Sequence, residues 1–219
     1  QDLDTTKSDE VGTLTKALVT MSFGIQENMN NLIEINSKQK QIEGELNAAH
    51  DIQIGMLPSN DQLPSSDRLD IYTKLIPAKE VGGDLYDFLI YDNSFYFCIG
   101  DVSGKGVPAS LLMAVCRNLF RTVAGQGLQP SQIVKTINDT MGESNESGMF
   151  ITLFVGKVDM NTGHLTFCNA GHNPPVMINS QGEASYMELI PNVPAGIFDG
   201  FDFEQQEVDT IDGISLFLY

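Results

Sequence analysis

The apolar positions change rhythm along the chain. From Leu14 to Gln53 they recur at alternating steps of four and three, through Leu18, Met21, Ile25, Leu32, Ile35, Ile42, Leu46 and Ala49. That is the heptad period of a left-handed coiled coil, and no proline interrupts it before Pro58. Asn28 and Gln39 fall on the same stripe, where polar residues weaken a seam but help fix its register. A helix laid on its own domain shows part of this pattern. A seam of about 60 Å at helical rise is too long for the rest of the chain to bury, so residues 1–55 are expected to pair in parallel with a second copy.

Beyond Pro58 the pattern shortens. Residues 59–67 are rich in Ser, Pro and Asp and read as a connector. Residues 69–76 alternate well enough for a strand closed by Pro77. Apolar and aromatic runs on either side of Asp92-Asn93-Ser94 predict a hairpin over residues 88–99. After Gly106 a helix is expected, with Pro108 in its first turn and an apolar face of Leu111, Leu112, Val115, Leu119 and Val123. Gly125 and Gly127 end it, and a second helix runs from Pro130 to about Met141 on Ile133, Val134 and Ile137. Residues 150–158 and 164–169 form another hairpin about the Asp159 to Gly163 turn cluster. Short strands are expected at residues 176–179, 186–190, 201–208 and 214–219. Strands around two helices predict an α+β domain over residues 56–219, mainly antiparallel.

Two segments in this domain carry candidate chemistry: Glu80-Val81-Gly82-Gly83-Asp84-Leu85-Tyr86-Asp87 and Gly100-Asp101-Val102-Ser103-Gly104-Lys105-Gly106. Each has an Asp directly after Gly, at the edge of an apolar run. A hairpin between them returns its ends to one side and makes Asp84 and Asp101 neighbours. Two like charges held together call for a shared proton or a cation, and hard oxygen donors suit Mg²⁺ or Mn²⁺. Asp beside Gly is also an ordinary turn residue, and that reading stays open. A phosphate-binding P-loop does not fit, because three residues separate Gly100 from Gly104 and Gly106 stands where a hydroxyl should follow Lys105. His172, in a Gly-rich turn, reads as a hydrogen-bonded structural residue or as a ligand or acid.

Charge and cysteine usage narrow the partners. A net charge of −17 over 219 residues argues against nucleic acid as a partner and favours a basic or locally basic protein, though simple solubility accounts for it equally well. Cys98, Cys116 and Cys168 share no ligand-like spacing and sit in apolar runs, so they read as reduced core residues. No stretch approaches the roughly 18 consecutive apolar residues of a membrane span, and the polar, acidic N-terminus is unlike a signal peptide.

Three segments in order carry a family resemblance: Val81-Gly82-Gly83-Asp84-Leu85-Tyr86-Asp87, the segment from Gly100 to Gly106, and Asn169-Ala170-Gly171-His172-Asn173-Pro174-Pro175. With the Met56-Leu57-Pro58 entry they resemble the SpoIIE/RsbU branch of PPM-type metal-dependent serine/threonine phosphatases. The resemblance implies two stacked sheets flanked by helices in an αββα sandwich. It also implies a pair of Mn²⁺ or Mg²⁺ ions, with Asp101 bridging them, the Val102 carbonyl completing one coordination sphere and Asp84 holding metal and water. Asp84 and Asp101 are then the catalytic and metal residues, and Lys105 a candidate substrate contact. In the family a Thr/Ser-Asp-Gly segment follows the strand that ends here at Tyr219, so the site is expected to be incomplete within this sequence. The implied substrate is a phosphorylated signalling protein, in the family often a small STAS-type anti-sigma-factor antagonist. Separately, Ser8-Asp9-Glu10-Val11-Gly12 resembles the second-helix start of HAMP relays, with Ser8 or Asp9 as cap. That resemblance implies a cytoplasmic domain tied to the membrane only through an upstream sensor. An alternative is a catalytically inactive coiled-coil scaffold whose phosphatase-like domain only binds a partner.

Overall fold

The computed structural model describes residues 10–59, 69–76, 81–143 and 148–219, which divide into two compact units, Gln1–Ala48 and Ala49–Tyr219. The cap expected from Ser8 or Asp9, residues 60–67 of the connector, Pro77 and Glu80 lie outside the described residues.

The first unit is helical. Helix α1 spans Glu10–Met56, 47 residues without a break, and its final turns belong to the second unit. Its heptad residues Leu14, Leu18, Met21, Ile25, Leu32 and Ile42 are 49–64% exposed in the single chain. Pairs one turn apart, Lys38 with Glu34 on a polar face and Gln39 of the stripe with Glu43, are each worth about 0.2–0.5 kcal/mol. Among the described residues no helix is long and apolar enough to cross a membrane.

In the second unit, strands β1 (Asp84–Tyr91), β2 (Ser94–Val102), β3 (Ile151–Asp159) and β4 (Leu165–Ala170) run antiparallel in sequence order. A short strand, β7 (Gln206–Val208), closes that sheet beyond β4. A second sheet places β5 (Val176–Ile178) between β6 (Ala184–Tyr186) and β8 (Ser215–Phe217). Two hydrophobic clusters follow from strand alternation. On one face of the larger sheet, Leu85, Cys98, Val155 and Cys168 meet α2 (Val107–Ala124) and α3 (Pro130–Gly142). On the other face, Phe88, Phe95, Phe154 and Phe167 pack with Met177 and Leu216 from the smaller sheet. Rings of Phe95, Phe97, Phe154 and Phe167 succeed one another across the strands at centroid spacings of 5.3–6.1 Å. Each fully buried ring contributes about 1.5–3 kcal/mol by removal from water.

The α+β class and antiparallel order are as expected; several details differ. Residues 70–76 form no strand, and Leu69 alone makes a bridge. Their side chains still alternate, with Leu69 and Ile71 against the aromatic cluster, so the burial period is satisfied without backbone pairing. The late strands are also shorter than expected: residues 187–190 and 201–205 pair with no strand. Helix α2 keeps Leu112, Leu119 and Val123 of the expected face against the core, but its inward side is centred elsewhere. Ala109, Met113, Cys116, Phe120 and Val123 are buried, whereas Leu111 and Val115 are 64% and 46% exposed. This helix is apolar on more than one side, so periodicity alone does not select the face. All three cysteines are free and buried, and burial pushes the thiols of Cys116 and Cys168 up to about 12.

Candidate metal centre

The geometry begins at the turn between β1 and β2. Asp92 and Asn93 both take positive φ, 44° and 60°, the backbone of a two-residue I′-type turn that matches strand twist. That turn sets the register Tyr91↔Ser94, and the pairing runs unbroken to Asp84↔Asp101. Residues directly opposed on one face keep their Cβ atoms about 5 Å apart. Burial, and then the Asp101 carboxylate, hold the Asp84 carboxyl above its ordinary range, and the protonated form is hydrogen-bonded to Asp101. The hairpin thus builds a site that stabilises a shared proton or a cation.

The backbone beside the carboxylates is closely packed. Val102 N–H donates to the Gly83 carbonyl at 3.2 Å. A Cβ on Gly83 would stand 2.6 Å from the Val102 carbonyl oxygen, so only glycine admits that carbonyl next to Asp84. Ser103 N–H donates to the Phe150 carbonyl at 2.8 Å, and Phe150 N–H returns a bond to Ser103 Oγ at 2.9 Å. Gly104 and Gly106 turn the chain at φ 93° and 74° into α2. Lys105 is exposed on that turn.

Thr152 and Gln53, which sequence reasoning did not place here, lie close by, as does His172, which it left open between a structural residue and a ligand or acid. Thr152 stands opposite Asp101 on β3, and its hydroxyl lies 3.0 Å from His172 Nδ1. Burial disfavours the charge on His172, against smaller opposing pulls from the Tyr219 carbonyl and from Asp84. Among the described residues His172 Nε2 is buried with no well-aligned hydrogen-bond partner, the Tyr219 carbonyl acting on it only weakly, while Asn169 Nδ2 donates to the His172 carbonyl at 3.0 Å. The signal for this placement was the position of Gly171-His172 directly after β4. Gln53, read as a polar seam residue, is 5% exposed; its amide bonds both polar groups of Gly82, Nε2 to the carbonyl at 2.6 Å and Oε1 from the N–H at 3.1 Å. Nearby, Tyr86 Oη donates to the Pro58 carbonyl at 3.0 Å. The end of α1 is thereby fastened to the residues leading into Asp84.

Asp84, Asp101 and the Val102 carbonyl form an oxygen-only donor set, which suits a hard divalent cation rather than zinc. Among the described residues no group of three or more His, Cys, Asp or Glu side chains is placed to hold a metal ion, and the two carboxylates stand as a pair.

Comparison with known proteins places this geometry in context. The model of the stage II sporulation protein E (SpoIIE) family matches residues 91–219. The phosphoserine phosphatase RsbU of Bacillus subtilis (strain 168) is 30% identical over 181 residues, covering 82% of this chain and 53% of RsbU. The chain therefore spans about half the length of that relative. Among solved structures, the SiaA-PP2C domain of Pseudomonas aeruginosa superposes with a TM-score of 0.66 at 22% identity, over 82% of this chain and 72% of that one. RsbX, solved in complex with magnesium, superposes with a TM-score of 0.50 at 18% identity, over 61% of this chain and 63% of that one. At those identities the two structures speak to the fold.

Proposed function

The chain belongs to the SpoIIE family, and from that premise we propose that it is a divalent-cation-dependent phosphatase acting on phosphoserine or phosphothreonine of a bacterial signalling protein. The observation that carries this reading is the register pair Asp84↔Asp101, with its unfavourable meeting of two carboxyls. Asp84, Asp101 and the Val102 carbonyl are the oxygen donors that would hold a pair of Mn²⁺ or Mg²⁺ ions there. When bound, such ions supply charge neutralisation for phosphate oxygens and a water of lowered pKa. The chain's own residues bring oxygen donors to one edge of the sheet, admit a main-chain carbonyl through Gly83 and place Lys105 as a candidate contact for the phosphate. The names of the relatives support the reading: RsbU is a phosphoserine phosphatase, and RsbX binds magnesium in its crystal.

In the full-length protein, Mn²⁺-dependent hydrolysis of p-nitrophenyl phosphate and of a phosphoserine peptide is expected, and Asp101→Asn should reduce both by at least about a hundredfold. A folded Asp101→Asn protein with wild-type turnover would end this assignment and favour a binding module without catalysis.

The finer proposals concern partner and control. The substrate is taken to be a STAS-type anti-sigma-factor antagonist, and the setting a cytoplasmic domain below a membrane-anchored sensor. Exposure of the heptad residues on α1 supports parallel pairing with a second copy. Leu32→Asp and Ile42→Asp should weaken that dimer in sedimentation and alter phosphatase activity while leaving the Asp84–Asp101 hairpin untouched. Unaltered association in both variants would remove the coiled coil from the mechanism.

A further inference from the structure

Strand β1 carries a second carboxylate that the proposed chemistry does not use. Asp87 lies three residues after Asp84, on the opposite face of the strand, and is 1% exposed. Arg121 of α2 grips it with both prongs, Nε to Oδ2 at 2.6 Å and Nη2 to Oδ1 at 2.8 Å. Arg117, one turn earlier, brings its Nε within 2.9 Å of the same Oδ2, in an orientation that leaves this N–H without an aligned acceptor among the described residues. Phe88 N–H donates to Oδ1 at 2.8 Å, and Arg121 Nη2 also reaches the Phe88 carbonyl at 3.4 Å.

Stability alone is a poor reason for such a cluster. Desolvating charges costs about as much as their attraction returns, and apolar side chains of similar volume hold a core as well or better. Its place in the fold supplies another reason. Helix α2 leaves directly from the turn after Asp101 and Val102, and its first residue is capped by Gly106 with no side-chain hydrogen bond. Arg121 stands about 21 Å further along the helix, and Asp87 about 10 Å along β1 from Asp84. The path from Asp84 along β1 to Asp87, across to Arg121, back down α2 and through the turn to Asp101 is closed by the register pair Asp84↔Asp101.

We propose that Asp87, Arg117 and Arg121 form a positioning cluster, a strut between β1 and the far end of α2 that fixes the helix axis and with it the Val102–Gly106 turn. Its importance for catalysis rests on the reading that Asp101 and the Val102 carbonyl hold cations. Without the strut, α2 is free to rock about the glycine turn, and the two donors on that side lose their fixed relation to Asp84.

The decisive variant replaces the whole cluster by apolar residues, Asp87→Leu with Arg117→Met and Arg121→Met, in the full-length protein. A cooperative thermal melt is expected to survive. Amide exchange at Ser103–Gly106 in the metal-free protein should rise at least tenfold, and the Mn²⁺ concentration for half-maximal hydrolysis of p-nitrophenyl phosphate should rise by a similar factor. Arg121→Lys, which keeps the charge and loses the fork, should fall between. A folded triple variant with wild-type exchange and wild-type Mn²⁺ dependence overturns the proposal and leaves the cluster as packing. Should the triple variant not fold, Arg121→Lys and Arg121→Met decide in its place, because Arg121 is 41% exposed and Arg117 remains beside Asp87. Wild-type exchange and Mn²⁺ dependence in both would overturn it equally. If wild-type protein hydrolyses nothing with Mn²⁺, the phosphatase reading fails, while the exchange comparison still decides the strut.

Discussion

Asp84 and Asp87 occupy the same strand three residues apart, and the fold treats them oppositely. Asp87 is sealed from water with two guanidinium groups and a backbone N–H on its oxygens. Asp84 sits at the strand's open end, where its strongest electrostatic partner is another carboxylate. One charge is satisfied within the fold; the other, among the described residues, meets a second carboxylate. That asymmetry supports the proposed cation site better than exposure does, since exposed aspartates are common and directly opposed ones are not.

The sharpest way to break the comparison is to remove each carboxylate in turn from the metal-free protein. Asp87→Ala leaves Arg117 and Arg121 without their anion and should cost about 3–5 kcal/mol, a large share of the roughly 5–15 kcal/mol of a typical domain. Asp84→Ala should cost little or nothing. Urea melts of the two variants read the difference directly, and equal losses would mean that Asp84 is also a structural charge.

The contrast was half legible in the sequence. Spacing of two Gly-Asp segments around one hairpin was enough to bring Asp84 and Asp101 together, because a two-residue turn leaves little freedom in register. Asp87 gave no such signal, since its partners lie on a helix whose inward face is not decided by periodicity. The apolar residues Leu111 and Val115 point outward on α2, and the helix instead presents Met113, Phe120 and its two arginines to the sheet. Gln53 was hidden for a related reason. A polar residue on a heptad stripe looks like a register device, and nothing local announces that the stripe ends against Gly82 rather than against another helix.

Two changes test how tightly the open end is built. Gly83→Ala pushes a methyl into the Val102 carbonyl, a contact of backbone with backbone that cannot rotate away. It should cost about 1–3 kcal/mol and lower Mn²⁺-dependent turnover more than tenfold by displacing that carbonyl. Gln53→Ala removes both hydrogen bonds to Gly82, at about 1 kcal/mol each, and should release the Gly82 amide to solvent exchange. A Gly82 amide still protected in the folded variant would show that α1 is not what fastens this segment.

The smallest effect concerns Asp84 alone and has a definite sign. Its carboxyl is held above the usual value of 3.8, first by burial and then by Asp101. A carboxyl raised in the folded state contributes stability in its protonated form, fully present below the unfolded value and lost as pH rises through the folded one. Above that window the metal-free wild-type protein therefore carries a penalty that Asp84→Asn does not. The variant should melt slightly higher than wild type at pH 7, and the gap should close as pH falls below about 4. His172, whose charge is disfavoured by burial, weakens both proteins on acidification, and somewhat more in the variant, which lacks the Asp84 carboxylate that opposes this shift. Saturating Mn²⁺ should invert the order at pH 7, because a cation bound only by the folded state raises the Tm of wild type and finds a weakened site in the variant. A gap that ignores both pH and Mn²⁺ would mean that the meeting of Asp84 with Asp101 costs the fold nothing, and the asymmetry between Asp84 and Asp87 would then be one of exposure only.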